Sequence, residues 1–224
     1  MPNQYIDLLE DYFLKNENKE DAYFMKKYLK DKFEFYGIKT EKRRQIYKDV
    51  INELGVPKKK DLNILIKELW EEPQREYHHF GMELCEKYKK EIDESFLDLY
   101  EFMLTHKSWW DTVDYIAIKL VGHYFTKYPD LINPTSEKYI ASNNIWLNRT
   151  AILFQLKYKE NTDEELLYHT ITCFKNSKEF FILKAIGWAL REYSKTYPKK
   201  VLNFVQNNQL ASLSKREALR IINK

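Results

Sequence analysis

The chain has 224 residues, a formal net charge of +3, 44% hydrophobic residues, five glycines and two cysteines. That length and apolar content suit a globular protein with a sizeable core. No stretch approaches the roughly 18 uninterrupted apolar residues a membrane helix needs. The start, MPNQYIDLLEDYF, lacks the basic-then-apolar order of a signal peptide, so a cytoplasmic protein with no membrane partner is expected.

Read in chain order, DLNILIKELWE, ESFLDLYEFML, TVDYIAIKLVGHYF, RTAILFQLKY and FFILKAIGWALREY each repeat apolar residues at three- and four-residue spacing, and each predicts one amphipathic helix. Short connections fall at Glu72-Pro73, Tyr128-Pro129 and Tyr197-Pro198. With so few glycines and no NG or DG hairpin turn, little favours a β fold. Cys85 and Cys173 lie within helical patterns without CxxC spacing, which argues for buried thiols and against a disulfide or zinc site. His78 and His79 point about 100° apart on a helix and cannot readily share one metal. Neither a metal nor a cofactor is expected.

The chain also matches itself. Ser108, Ser142 and Ser177 precede similar segments at intervals of 34 and 35 residues, and Asp114, Arg149 and Lys184 follow 35 apart. Ile116, Ala151 and Ile186 share an apolar phase; Tyr88, Tyr158 and Tyr193 share another, with His123 in the remaining slot. A two-helix repeat of this length predicts an all-α fold, an α-solenoid of HEAT-like repeats forming one domain over residues 1–224, its concave basic groove lined by the equivalent helix of each repeat. Asp114, Arg149 and Lys184 are expected along that groove.

Charge is unevenly spread. Lys175–Lys224 carries eleven Lys or Arg against three Glu and no Asp, a local +8 that leaves −5 elsewhere. Such asymmetry suits an acidic partner such as a nucleic-acid backbone, and equally a solvated basic face. Within SWWDTVD, Ser108 and Asp111 read as a capping box, so Asp111 is structural. Asp114 lies one turn further on the side of Trp110, and Trp188 follows Lys184 by four residues in GWALREY.

SWWDTVD, IASNNIWLNRTAILFQLKYK, SKEFFILKAIGWALREYSKT and FVQNNQLASLSKREA, with FYGIKTEKRRQ before them, together resemble the AlkD-type DNA alkylation-repair glycosylases, a family of HEAT-like repeat proteins. The resemblance covers nearly the whole chain. It implies hydrolytic excision of cationic alkylated purines, such as 3-methyladenine and 7-methylguanine, from double-stranded DNA; a concave DNA groove works in a monomer, and no cofactor is expected. By motif, Asp114, Trp110 and Trp188 carry over as catalytic residues and Arg149 as a phosphate contact. Tyr28 matches the family pattern, whereas Lys39 in GIKT stands where Gln is expected. Lys157, Lys184 and Arg191 are expected to add phosphate contacts. The alternative is a non-catalytic HEAT-like array that binds DNA or another nucleic acid; a peptide-binding scaffold is a third reading.

Overall fold

Residues 2–222, described by a computed structural model, are helical nearly throughout, as the three- and four-residue apolar spacing dictates. No strand occurs among them; one isolated parallel bridge joins Glu34 and Gln74. The fold is an all-α solenoid of helical repeats. By contact density the chain divides into two compact units, Met1–Ile92 and Asp93–Lys224.

The first unit contains α1 (Pro2–Lys15), α2 (Lys19–Tyr28), α3 (Thr40–Leu54), α4 (Lys59–Glu71) and α5 (Arg75–Cys85). Its core centres on Phe13 of α1, whose ring lies 5.2 Å from that of Tyr36 and 5.1 Å from that of Tyr77. The loop between α2 and α3 is held by a buried carboxylate: Glu76 accepts the backbone N–H groups of Tyr36 (3.2 Å), Gly37 (3.0 Å) and Ile38 (3.2 Å). Burial raises the Glu76 pKa above the ordinary carboxylate value, against the pull of these donors. Gly37 is required there, because its φ is +82° and a Cβ would fall 2.1 Å from the Asn18 carbonyl oxygen. The loop delivers Lys39 to the N-cap of α3.

The second unit runs through α6 (Phe96–Thr105), α7 (Trp110–Tyr115), a π-helical stretch (Ile116–Val121), α8 (Gly122–Lys127), α9 (Ile132–Ile140), α10 (Ile145–Leu153), α11 (Glu164–Phe174), α12 (Phe180–Tyr193), α13 (Pro198–Asn207) and α14 (Ser212–Leu219). Successive contacts join α7 to α10, α10 to α12 and α12 to α14. A core of Ala117, Ile152, Ile186, Leu190, Val205 and Ala218 lies among these elements.

The repeat is visible in the helix starts. The N-cap residues of α3, α5, α7, α10 and α12 are Lys39, Gln74, Trp109, Asn144 and Glu179, each 35 residues after the last. Ile116, Ala151 and Ile186 are all buried, as their shared phase requires. The cadence ends at α14, whose N-cap Ala211 comes only 32 residues after Glu179.

Three expectations are corrected. Ser108 does not cap α7: its hydroxyl donates to the Leu104 carbonyl (2.7 Å) at the end of α6, and the N-cap falls to Trp109, which makes no side-chain capping bond. Asp111 nevertheless occupies the first turn, where the helix dipole favours a carboxylate. The segment TVDYIAIKLVGHYF is not one regular α-helix, because the π turn interrupts it after Tyr115. Cys85 is buried, but Cys173 is exposed. The inward face of α11 is set by Leu166, Leu167, Thr170 and Ile171, and two residues beyond Ile171 the helix has turned about 200° toward solvent.

Candidate active site

Because α7 and α10 start one repeat apart, their fifth residues, Asp114 and Arg149, face each other. Arg149 Nε donates to Asp114 Oδ1 (2.6 Å) and Nη2 to Oδ2 (2.8 Å), a bidentate pair of the kind that fixes both position and rotation of a carboxylate. Nη1 donates to the backbone carbonyl of Phe181 on α12. The pair is nearly dry, with side-chain exposures of 16% for Asp114 and 5% for Arg149.

Two influences on Asp114 oppose each other. Burial raises the carboxyl pKa and the nearby Asp111 charge adds to this; the Arg149 guanidinium pulls it down, leaving it above the ordinary value. Arg149 uses three of the five N–H bonds a guanidinium carries in these contacts, so two more point elsewhere.

Trp110 is the first residue of α7 and is half-buried; Trp188 on α12 is also half-buried and packs against the core. A third ring system adjoins the pair. Trp109, Trp146 and Phe181 touch one another with centroid separations of 5.5, 5.1 and 5.2 Å. The guanidinium carbon of Arg149 lies 5.9 Å from the Phe181 ring centre. The trio leaves one trace in the sequence: Trp146 and Phe181 stand 35 residues apart in the same phase as Asp111.

The remaining basic residues are engaged within the protein. Lys184 (2.9 Å) and Arg191 (2.6 Å), both on α12, converge on the carboxylate of Glu217 on α14. Lys184 foremost, with Arg191, holds the Glu217 carboxyl below the ordinary range against the effect of burial. Lys157 is exposed and reaches Glu192 at 3.4 Å. In the first unit, Tyr28 is exposed at the end of α2, and the exposed Lys39 pairs with Asp21 at 2.9 Å. A cavity of about 240 Å³ beside Gln155, Leu156, Glu192 and Tyr193 is lined by none of the predicted site residues. No group of three or more His, Cys, Asp or Glu able to hold a metal occurs among the described residues. Nor is any helix among them long and apolar enough to cross a membrane.

An all-helical repeat array bearing a half-buried, arginine-clamped aspartate with tryptophans on the same helices is the setting in which the comparisons with known proteins fall. The family model of the DNA alkylation repair enzymes matches residues 9–222, and the chain belongs to that family. Its role is therefore in the repair of alkylated DNA. It is similar to a solved structure described as a predicted DNA alkylation repair enzyme from Enterococcus faecalis, with 30% identity and a TM-score of 0.86 over 93% of this chain and 97% of that one. A second solved structure, smu.31 from Streptococcus mutans UA159, shares the fold at 17% identity and a TM-score of 0.59, covering 80% of this chain and 96% of that one. No curated protein matches the chain.

Proposed function

We propose that the protein is a DNA glycosylase that removes cationic alkylated purines, such as 3-methyladenine and 7-methylguanine, by hydrolysing the N-glycosidic bond. The observation that carries this reading is the half-buried carboxylate of Asp114, held at both oxygens by Arg149, with Trp110 on the same helix as Asp114 and Trp188 on α12.

A purine alkylated on a ring nitrogen is positively charged and leaves as a neutral base, so no general acid is needed. This differs from the two-carboxyl arrangement of ordinary glycosidases. As the bond breaks, positive charge moves onto the deoxyribose, and a fixed carboxylate beside it stabilises the oxocarbenium-like state and orients the attacking water. At about 4 Å and an effective dielectric near 20, the carboxylate alone would contribute about 4 kcal/mol, roughly a thousandfold in rate, an upper bound because the paired Arg149 charge opposes it. The effect suffices for a labile lesion and spares normal nucleotides.

Arg149 has two tasks in this scheme: it fixes the carboxylate and offers its remaining N–H bonds to a phosphate beside the lesion. Trp110 and Trp188 pack against the sugar and backbone of the damaged nucleotide, where indole faces favour developing positive charge. Tyr28, Lys39, Lys157, Lys184 and Arg191 contribute contacts to duplex DNA. The test is chromatographic detection of base released from duplex DNA containing 7-methylguanine, comparing wild type with Asp114→Asn. Release above the spontaneous rate that depends on Asp114 is expected; none above it would leave the non-catalytic DNA-binding reading.

A further inference from the structure

The helix that carries Asp114 starts, like most helices of this chain, without a side-chain cap. α7 spans Trp110–Tyr115, runs directly into the π turn, and has no side-chain capping bond at its N-cap. The residue at that N-cap, Trp109, instead sets its ring on two others, edge-on to Trp146 at 5.5 Å and 63° and to Phe181 at 5.1 Å and 73°. Trp146 and Phe181 close the triangle at 5.2 Å.

Each ring comes from a different repeat, and Phe181 touches Arg149 directly. Trp109 precedes Asp114 by five residues. Trp146 precedes Arg149 by three on α10, which places the two side chains on one side of that helix. Phe181 meets Arg149 twice, through its carbonyl oxygen and through its ring. All three rings are half-buried.

We infer that Trp109, Trp146 and Phe181 are positioning residues, a bracket of rings that ties the start of α7 to α10 and α12 and fixes the Arg149 guanidinium on the Asp114 carboxylate. Edge-to-face ring pairs contribute stability beyond the area they bury, so the triangle supplies direction as well as dryness. It acts at a helix start that has no side-chain capping bond of its own. The catalytic part of the inference rests on the excision reading above; the positioning part does not.

The test uses Trp109→Ala, Trp109→Phe and Phe181→Leu in the full chain, with circular dichroism to confirm helicity and Ile186→Val as a packing control away from the trio. The first measurement is the solvent exchange of the Arg149 Nε–H by NMR. Wild type and Ile186→Val should keep it protected, Trp109→Ala should lose the protection at least tenfold, Trp109→Phe should restore most of it, and Phe181→Leu should show an intermediate loss. The second is single-turnover excision beside duplex affinity: Trp109→Ala should slow excision by about ten- to a hundredfold, the scale of a misplacement near 1 Å, with affinity held within twofold. An Nε–H that stays protected in both Trp109→Ala and Phe181→Leu overturns the bracket. Lost protection together with no base release by wild type would uphold the bracket and remove the excision reading. Should Trp109→Ala fail to fold, Phe181→Leu decides by the same exchange measurement.

Discussion

Arg149 stands one repeat after Asp114 and holds both of its carboxylate oxygens, so that an interval of 35 residues in the chain becomes contacts of 2.6 and 2.8 Å in space. The pair gains its rigidity from the array and not from local sequence: neither α7 nor α10 alone could fix it. Asp114→Asn keeps one acceptor for Arg149 and removes the charge. It should leave the fold and most DNA binding intact, cost about 1–2 kcal/mol of stability, and slow single-turnover excision by roughly a hundred- to a thousandfold. Urea unfolding and base-release assays report the two effects separately, and an Asp114→Asn variant of wild-type rate removes this residue from the chemistry.

Arg149→Ala should be the more damaging change. It strands a half-buried carboxylate, a loss on the order of 3 kcal/mol, and lets the Asp114 side chain turn. A melting temperature equal to that of Asp114→Asn would contradict this ordering.

The pH profile has a definite sign. On the proposed reading excision requires ionised Asp114, and burial holds its carboxyl above the ordinary 3.8. The rate, corrected for spontaneous depurination, should therefore fall as pH drops through a midpoint above 3.8. Because Arg149 pulls that pKa down, Arg149→Ala should move the midpoint upward. A downward movement, measured as single-turnover rate against pH, would mean that another group governs the acid limb.

Lys184 and Arg191 share Glu217. If they bind phosphates in the complex, Lys184→Ala with Arg191→Ala should weaken binding to damaged and undamaged duplexes alike and flatten the logarithmic salt slope by about 0.9 for each phosphate no longer neutralised. Glu217→Gln should act oppositely, tightening both. Titrations at several salt concentrations distinguish these outcomes; a folded double variant with the wild-type slope shows that these cations serve only to fasten α14.

That fastening is tight. A Cβ at Gly187 would lie 2.5 Å from Glu217 Cβ and 3.0 Å from the Ser214 carbonyl oxygen, so Gly187→Ala must push α14 off α12. A destabilisation of about 1–3 kcal/mol is expected in urea unfolding. An unchanged midpoint would show that the two helices separate without cost.

The helical array and its period were legible in the sequence because apolar spacing and repeated phases are properties of the chain order itself. The pairing of Asp114 with Arg149 was half legible: the interval placed them in one row, but nothing in it said that the guanidinium would turn to the carboxylate and not only outward to a phosphate. Ser108 misled because Ser-x-x-Asp fits a cap by composition, while the hydroxyl found a nearer acceptor in Leu104. The engagement of Lys184 and Arg191 by Glu217 was hidden for a different reason. It depends on α14, which breaks the 35-residue cadence and so lies outside any extrapolation from it.

The π turn at Ile116–Val121 leaves a mark on what the gene can tolerate. Such a turn holds one more residue than an α turn between the same hydrogen-bonded ends. Loss of a single codon inside a buried helix ordinarily rotates everything downstream by about 100°. Lys119 is an exposed residue of this turn, and its deletion is expected to convert the stretch to α-helix while keeping Asp114 upstream and Gly122 downstream in their present orientations. Natural length variation within this helix is therefore expected to be confined to those six positions.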